Sequence, residues 1–138
     1  GPLLAEQPAS LVIANRTADR ARVLAKAFDD IGSIEGCGLD ALEGERFEVV
    51  INATSSGLEG EVPDLPESIV SDGATAYDML YGAEPTPFLR WAERHGAFRV
   101  RDGLGMLVEQ AAGAFELWRR IRPSTESVIE TLRHDTRP

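Results

Sequence analysis

Leu11-Val12-Ile13-Ala14-Asn15-Arg16-Thr17 is a short apolar run that stops at an amide, a guanidinium and a hydroxyl, and the helix-forming stretch ADRARVLAKAF (18–28) follows it. Strand, polar tip and helix form one step of a βαβ unit. In a dinucleotide-binding unit the end of the second strand meets the adenosine ribose. An acidic residue there holds the free 2′-OH of NAD, whereas an arginine accommodates the 2′-phosphate of NADP. This tip carries Arg16 in place of a carboxylate, and a guanidinium grips phosphate through paired, charge-assisted bonds. Arg20 lies one turn further on. Arginines at a helix start oppose the dipole's preference for acids, so an anion is expected beside Asn15, Arg16, Thr17 and Arg20. The plainer alternative is a helix start whose arginines are merely solvated.

Working outward, apolar runs alternate with helical spacing. Strands are expected at 11–14, 33–36, 47–53, 75–79 and 97–100, and helices at 18–31, 39–43, 86–95, 104–121 and 125–134. This alternation predicts an α/β fold, a mostly parallel sheet flanked by helices. The continuous run Val49-Val50-Ile51 is that of a strand covered on both faces. In the longest helix, Leu104, Leu107, Val108, Ala111, Phe115 and Trp118 share helical spacing and are expected to be its buried stripe. Gly103, Met106 and Gln110 share a neighbouring face, which begins at a helix N-terminus suited to anions and polar ligand groups. Thr17 and Ser124 are candidate helix caps.

Composition sets the outer bounds. The chain has 138 residues, 43% of them apolar and 27% charged, enough for one ordinary domain over 1–138 with one core. Its net charge of −9 disfavours nucleic acid and anionic membrane as partners, both being negative themselves. The single cysteine, Cys37, excludes an internal disulfide framework and suits a reducing cytoplasm. No apolar stretch approaches a membrane span. Cys37, His95 and His134 lack metal-ligand spacing, and no nucleophile stands with its base, so neither a metal nor a catalytic residue is expected. The opening GPLLAEQPAS looks like the last turns of a helix, as though the chain begins inside an element of a longer protein.

Three further segments sit where open α/β sheets bind ligands, just past the carboxyl ends of strands. Asn52-Ala53-Thr54-Ser55-Ser56-Gly57 offers small polar groups and is equally an ordinary turn. Tyr77-Asp78-Met79-Leu80-Tyr81 offers a phenol at Tyr81 and a thioether at Met79, although half-buried tyrosines with wet hydroxyls are the simpler expectation. Asp102-Gly103-Leu104-Gly105-Met106-Leu107 enters the long helix. Asp102 can simply cap that helix, but two glycines weaken it and imply close backbone approach. Gly36-Cys37-Gly38-Leu39-Asp40-Ala41 fits a G-x-G-x-x-A fingerprint, yet its strand is short and Gly44 interrupts the helix behind it, so it is rejected as a pyrophosphate turn.

Together, NRTADR (15–20), INATSSG (51–57), YDMLY (77–81), TPFLRWAERHG (86–96) and DGLGMLVEQAAGAFELW (102–118) resemble the cofactor-binding half of shikimate dehydrogenase, in order and over nearly the whole chain. The resemblance implies NADPH-dependent reduction of 3-dehydroshikimate to shikimate, on the way to chorismate and the aromatic amino acids. It implies that Asn15, Arg16, Thr17 and Arg20 surround the 2′-phosphate and that Met79 and Gly103 lie beside the nicotinamide. It further implies that Tyr81 and Gln110 touch substrate hydroxyls and that Asn52, Thr54 and Ser55 border the cofactor.

The family's catalytic Lys and Asp belong to an N-terminal substrate domain without counterpart here. Its first Rossmann strand and glycine-rich turn are also unmatched. A truncated NADP-binding domain is therefore expected, with exposed sheet edges that invite self-association. Two alternatives are a catalytically incomplete NADP-binding module and a related reductase such as glutamyl-tRNA reductase. YDMLY and DGLGMLVEQ argue against the second.

Overall fold

The computed structural model describes residues 1–55 and 60–135, arranged as two compact units. One is Gly1–Glu45 with Asp64–Ile69, the other Arg46–Pro63 with Val70–Pro138.

In the first unit, α1 (Pro2–Ala5) leads into β1 (Leu11–Ala14), α2 (Ala18–Lys26) and β2 (Ile34–Cys37), followed by a single 3-10 turn at Asp40–Leu42. The strands β1 and β2 pair in parallel, Leu11 opposite Ile34 through Ala14 opposite Cys37. Small residues let α2 lie close to this sheet. Ala21 and Ala25 are its buried positions, and a β-carbon on Gly36 of β2 would stand 2.3 Å from the Ala21 carbonyl oxygen. The glycines of the rejected fingerprint therefore serve helix-to-strand packing. Leu4, Leu42 and Ile69 complete the core, and α2 ends at Lys26, short of the expected residue 31.

The second unit is a three-stranded parallel sheet in the order β3 (Phe47–Asn52), β4 (Val70–Asp78), β5 (Arg99–Arg101). The alternating residues Ala74, Ala76 and Asp78 of β4 are buried. Helix α3 (Pro87–Arg94) packs on β4 and β5. It buries Phe88, Leu89, Trp91 and Ala92 on one face, while Arg90, Glu93 and Arg94 stay in solvent. Thr86 caps α3 by accepting from Leu89 N–H at 3.3 Å. At its other end His95 Nδ1 donates to the Trp91 carbonyl at 2.7 Å, so His95 is the helix C-terminal residue its position implied.

Helix α4 (Leu104–Arg119) and helix α5 (Glu126–Asp135) close the chain. The buried stripe of α4 is Leu104, Val108 and Ala112, an i, i+4 row narrower than expected. Leu107, Ala111, Phe115 and Trp118 are exposed instead, Trp118 to 76%. Helix α5 returns toward the start of α4, where Arg133 bonds Asp102, and the connection between the two helices is tied to α4 by polar groups. Arg122 donates to Glu109 and Glu116, and the Thr125 hydroxyl donates to Glu109 at 2.6 Å. Thr125 rather than Ser124 precedes α5, so Ser124 is not its cap.

The doubly wound order is 3-2-1-4-5-6. The pair β2-β1 matches strands 3-2 and the triplet matches 4-5-6, with no counterpart of strand 1 among the described residues. Accordingly β1 and β3 are each paired on one side only among those residues. The covered strand expected at Val49-Val50-Ile51 is open as well: Val49 is 58% and Ile51 41% exposed, and α3 packs on β4 and β5 instead. Among the described residues no helix is long and apolar enough to cross a membrane.

Candidate cofactor and substrate site

At the carboxyl end of β1 the chain turns through Asn15-Arg16-Thr17 into α2. Asn15 is held by its own backbone, its N–H donating to the Cys37 carbonyl at 3.2 Å. Its side-chain oxygen accepts from Thr17 N–H at 2.8 Å, an Asx turn that fixes the entry to the helix. Thr17 occupies the cap position, yet its hydroxyl makes no capping bond, so the first N–H groups of α2 carry no side-chain cap. Arg16, Thr17 and Arg20 are all exposed, and among the described residues no carboxylate pairs with Arg16 or Arg20. Asp19, the one acid of the first turn, bonds Arg22 instead at 2.9 Å. Two free guanidiniums, an unengaged hydroxyl and the open N–H groups of a helix start form a donor set without an acceptor, which fits a phosphate group.

The second unit gathers the other candidates at the carboxyl ends of β3 and β4. Asn52 is buried, and its side chain is fully engaged. Its amide NH2 donates to Asp78 Oδ1 at 3.2 Å, and its oxygen accepts from the Thr54 N–H at 3.1 Å and the Thr54 hydroxyl at 2.8 Å. Asn52 therefore shapes the turn that Thr54 and the exposed Ser55 enter. Ser56 and Gly57 lie outside the described residues.

Asp78 is marked less plainly by the sequence than the tyrosines that flank it. It is 0% exposed and accepts from Asn52, from Leu80 N–H at 3.1 Å and from the Thr86 hydroxyl at 2.5 Å. The available signal was an acid at the close of the alternating buried row Ala74, Ala76, Asp78.

Beyond Asp78, Met79 is 41% and Tyr81 49% exposed, so both side chains are available to a ligand, while Tyr77 is half-buried. Gly103 meets this segment directly. Its N–H donates to the Leu80 carbonyl at 2.9 Å, and a β-carbon on it would lie 2.0 Å from the Met79 carbonyl oxygen. The close approach expected of the two glycines is real at Gly103 and absent at Gly105, where a β-carbon meets nothing within 4 Å. Asp102 stands one residue before the cap position, which Gly103 holds; it accepts from Leu104 N–H at 3.3 Å and is itself clamped by Arg133 of α5 at 2.7 and 3.2 Å. Gln110 is exposed two turns along α4.

Thus Asn52, Met79 and Gly103 form one connected cluster with Thr54, while Asn15, Arg16, Thr17 and Arg20 form another. No group of acids, histidines and cysteine suited to a metal occurs among the described residues. Burial, with Glu35 and Asp40 nearby, pushes the Cys37 thiol above its usual range, which makes it a poor nucleophile.

Residues 103–133 match the family model of the shikimate 5′-dehydrogenase C-terminal domain. The shikimate dehydrogenase (NADP(+)) of Methylococcus capsulatus is 55% identical over 136 residues, covering 99% of this chain and 49% of the relative. Among solved structures, an Ael1 enzyme from Pseudomonas putida aligns with a TM-score of 0.86 at 43% identity, over 95% of this chain and 48% of that one. The shikimate 5-dehydrogenase of Thermus thermophilus, in complex with NADP(H) and shikimate, aligns with a TM-score of 0.75 at 31% identity, over 94% and 48%. The chain spans about half the length of the curated relatives it matches. By sequence and by fold, nearly all of this chain is similar to about half of a shikimate dehydrogenase, C-terminal domain included.

Proposed function

We propose that this chain is the NADP(H)-binding half of a shikimate dehydrogenase, serving NADPH-dependent reduction of 3-dehydroshikimate to shikimate. The observation that carries the cofactor choice is the donor set at the end of β1: exposed Arg16 and Arg20 without a carboxylate partner among the described residues, beside an uncapped Thr17 hydroxyl. In this reading Asn15 sets the turn, and Arg16, Thr17 and Arg20 receive the 2′-phosphate. NADPH, when bound, supplies the hydride. Met79 and Gly103 border the nicotinamide, with Asn52, Thr54 and Ser55 shaping the adjoining turn. Tyr81 and Gln110 offer a phenol and an amide to substrate hydroxyls. The one lysine of the sequence, Lys26, is exposed on α2, and in this reading the chain's part is to bind and orient.

The unpaired edges of β1 and β3 support self-association, because a strand edge pairs with any complementary edge it meets. A buried, unpaired Cys37 suits the reducing cytoplasm in which such chemistry is expected.

Titration of the chain with NADPH and with NADH tests the cofactor assignment. Arg16→Ala is expected to weaken NADPH at least tenfold, about 1.5–3 kcal/mol for a hydrogen-bonded charge, and to leave NADH unchanged. Equal losses for the two nucleotides would overturn it.

A further inference from the structure

Between β4 and α3 the chain makes an excursion whose two ends return to one side chain. Leu80 N–H and the Thr86 hydroxyl both donate to the Asp78 carboxylate, at 3.1 Å to Oδ1 and 2.5 Å to Oδ2, so Asp78 closes the base of the loop Tyr81–Pro85. A third donor, the Asn52 amide, ties the turn after β3 to the same oxygen as Leu80. The segment is held from its other sides as well. Met79 N–H donates to the Asn52 carbonyl at 3.0 Å, and Gly103 N–H to the Leu80 carbonyl at 2.9 Å.

Burying a carboxylate completely is unfavourable unless hydrogen bonds replace its water. Three donors and no acceptor converge on this one. We propose that Asp78 is a positioning residue of the site: a buried anionic anchor that sets the direction in which Met79 and Tyr81 leave the sheet, acting through the Leu80 peptide and Thr86. This rests on the reading that Met79 borders the nicotinamide and Tyr81 the substrate.

The arrangement calls for a carboxylate in particular. An asparagine at 78 can keep accepting from Leu80 and Asn52 only by turning its NH2 toward Thr86, whose own proton then loses its acceptor. The tie to Thr86 is then reversed, from the Asn NH2 to the hydroxyl oxygen, with the Thr86 proton stranded and the base of the loop weakened at unchanged volume.

The test compares wild type, D78N, T86V and T86S by amide hydrogen exchange, thermal melting and NADPH titration. In D78N and T86V, exchange over Met79–Thr86 is expected to rise at least tenfold and NADPH to bind about tenfold more weakly. Residues 88–92 should keep their protection in D78N, and T86S, which retains the hydroxyl, should behave as wild type. If D78N does not fold, the contrast between T86V and T86S carries the comparison, T86V being expected to loosen residues 88–92 as well because it also removes the cap on Leu89 N–H. Unchanged exchange in the loop overturns the proposal, as does faster exchange with NADPH affinity intact, since Asp78 would then serve the scaffold alone. A wild-type chain that takes up no NADPH fails the functional reading instead, and the exchange difference then decides by itself whether Asp78 closes the loop.

Discussion

Two strand ends, one in each unit, handle polar groups in opposite ways. At the end of β1, Arg16 and Arg20 point their charges into solvent, Thr17 caps nothing, and only Asn15 is engaged, in fixing the turn. At the end of β4, Asp78, Asn52, Thr86 and the Leu80 peptide are joined through one carboxylate, and no described buried side-chain polar atom lacks a partner. Unmet donors at an exposed tip are what supports the proposed phosphate site. A saturated buried network instead holds the neighbouring exposed side chains, Met79 and Tyr81, in place. The first end has chemistry to offer a ligand; the second supplies direction.

The comparison can be broken most forcefully at Gly103. Gly103→Ala drives a β-carbon into the Met79 carbonyl, which stands 2.0 Å from that position, and a backbone clash in a packed site costs about 3 kcal/mol or more. Chemical denaturation should show that loss. Gly105→Ala, two residues on and open around its β-carbon, should gain up to about 1 kcal/mol from helix propensity. If both substitutions behave alike, the close approach at Gly103 has no energetic meaning.

A smaller effect is expected at the open side of β3. Val49→Lys places a charge on an exposed apolar strand with one unpaired edge, the device by which natural edges resist pairing. Sedimentation should show concentration-dependent association for the wild type and a monomer for V49K. Association that persists in V49K would place the contact elsewhere, for example on the exposed end of α4.

Smaller still is the junction of α4 and α5. The Thr125 hydroxyl first, and Arg122 second, hold the exposed Glu109 carboxyl below its usual range. A group whose folded pKa is depressed contributes stability above its unfolded pKa, and that contribution is lost as pH falls through the folded value. Glu109→Gln should therefore lower the melting temperature slightly at neutral pH, and the difference from wild type should vanish in acid and shrink with salt. Least affected should be the stability of Arg16→Ala, within about 0.5 kcal/mol of wild type, because that side chain supports nothing in the fold. A large destabilisation there would erase the contrast between the two strand ends.

Much of the architecture was legible because it depends on local pattern. The alternation of strands and helices, the strand at 11–14 and the helix 86–95 with its C-terminal His95 all follow from period and punctuation, which neighbours in sequence impose. The rejection of Gly36-Cys37-Gly38 as a phosphate turn was legible for the same reason. Errors arose where burial depends on what lies opposite. Phe115 and Trp118 have the spacing of a buried stripe, but both are exposed, and the buried row is Leu104, Val108 and Ala112. Val49-Val50-Ile51 has the composition of a covered strand, yet β3 has a bare face.

The chain by itself determined which residues could serve chemistry: an arginine in place of an acid after β1, small polar groups after β3, glycines at the start of α4. Those choices are written in side-chain identity and need no coordinates. Only the tertiary structure decided which of them are free and which are consumed. It used Asn15 to fix the turn and left the Thr17 hydroxyl unengaged, spent Asn52 inside the protein, and set Gly103 against the Met79 backbone. It also made Asp78 the common acceptor of its near neighbours Leu80 and Thr86 and of the distant Asn52. A hydrogen bond between residues 26 positions apart leaves no periodic trace along the chain, because its geometry exists only once β3 and β4 have paired.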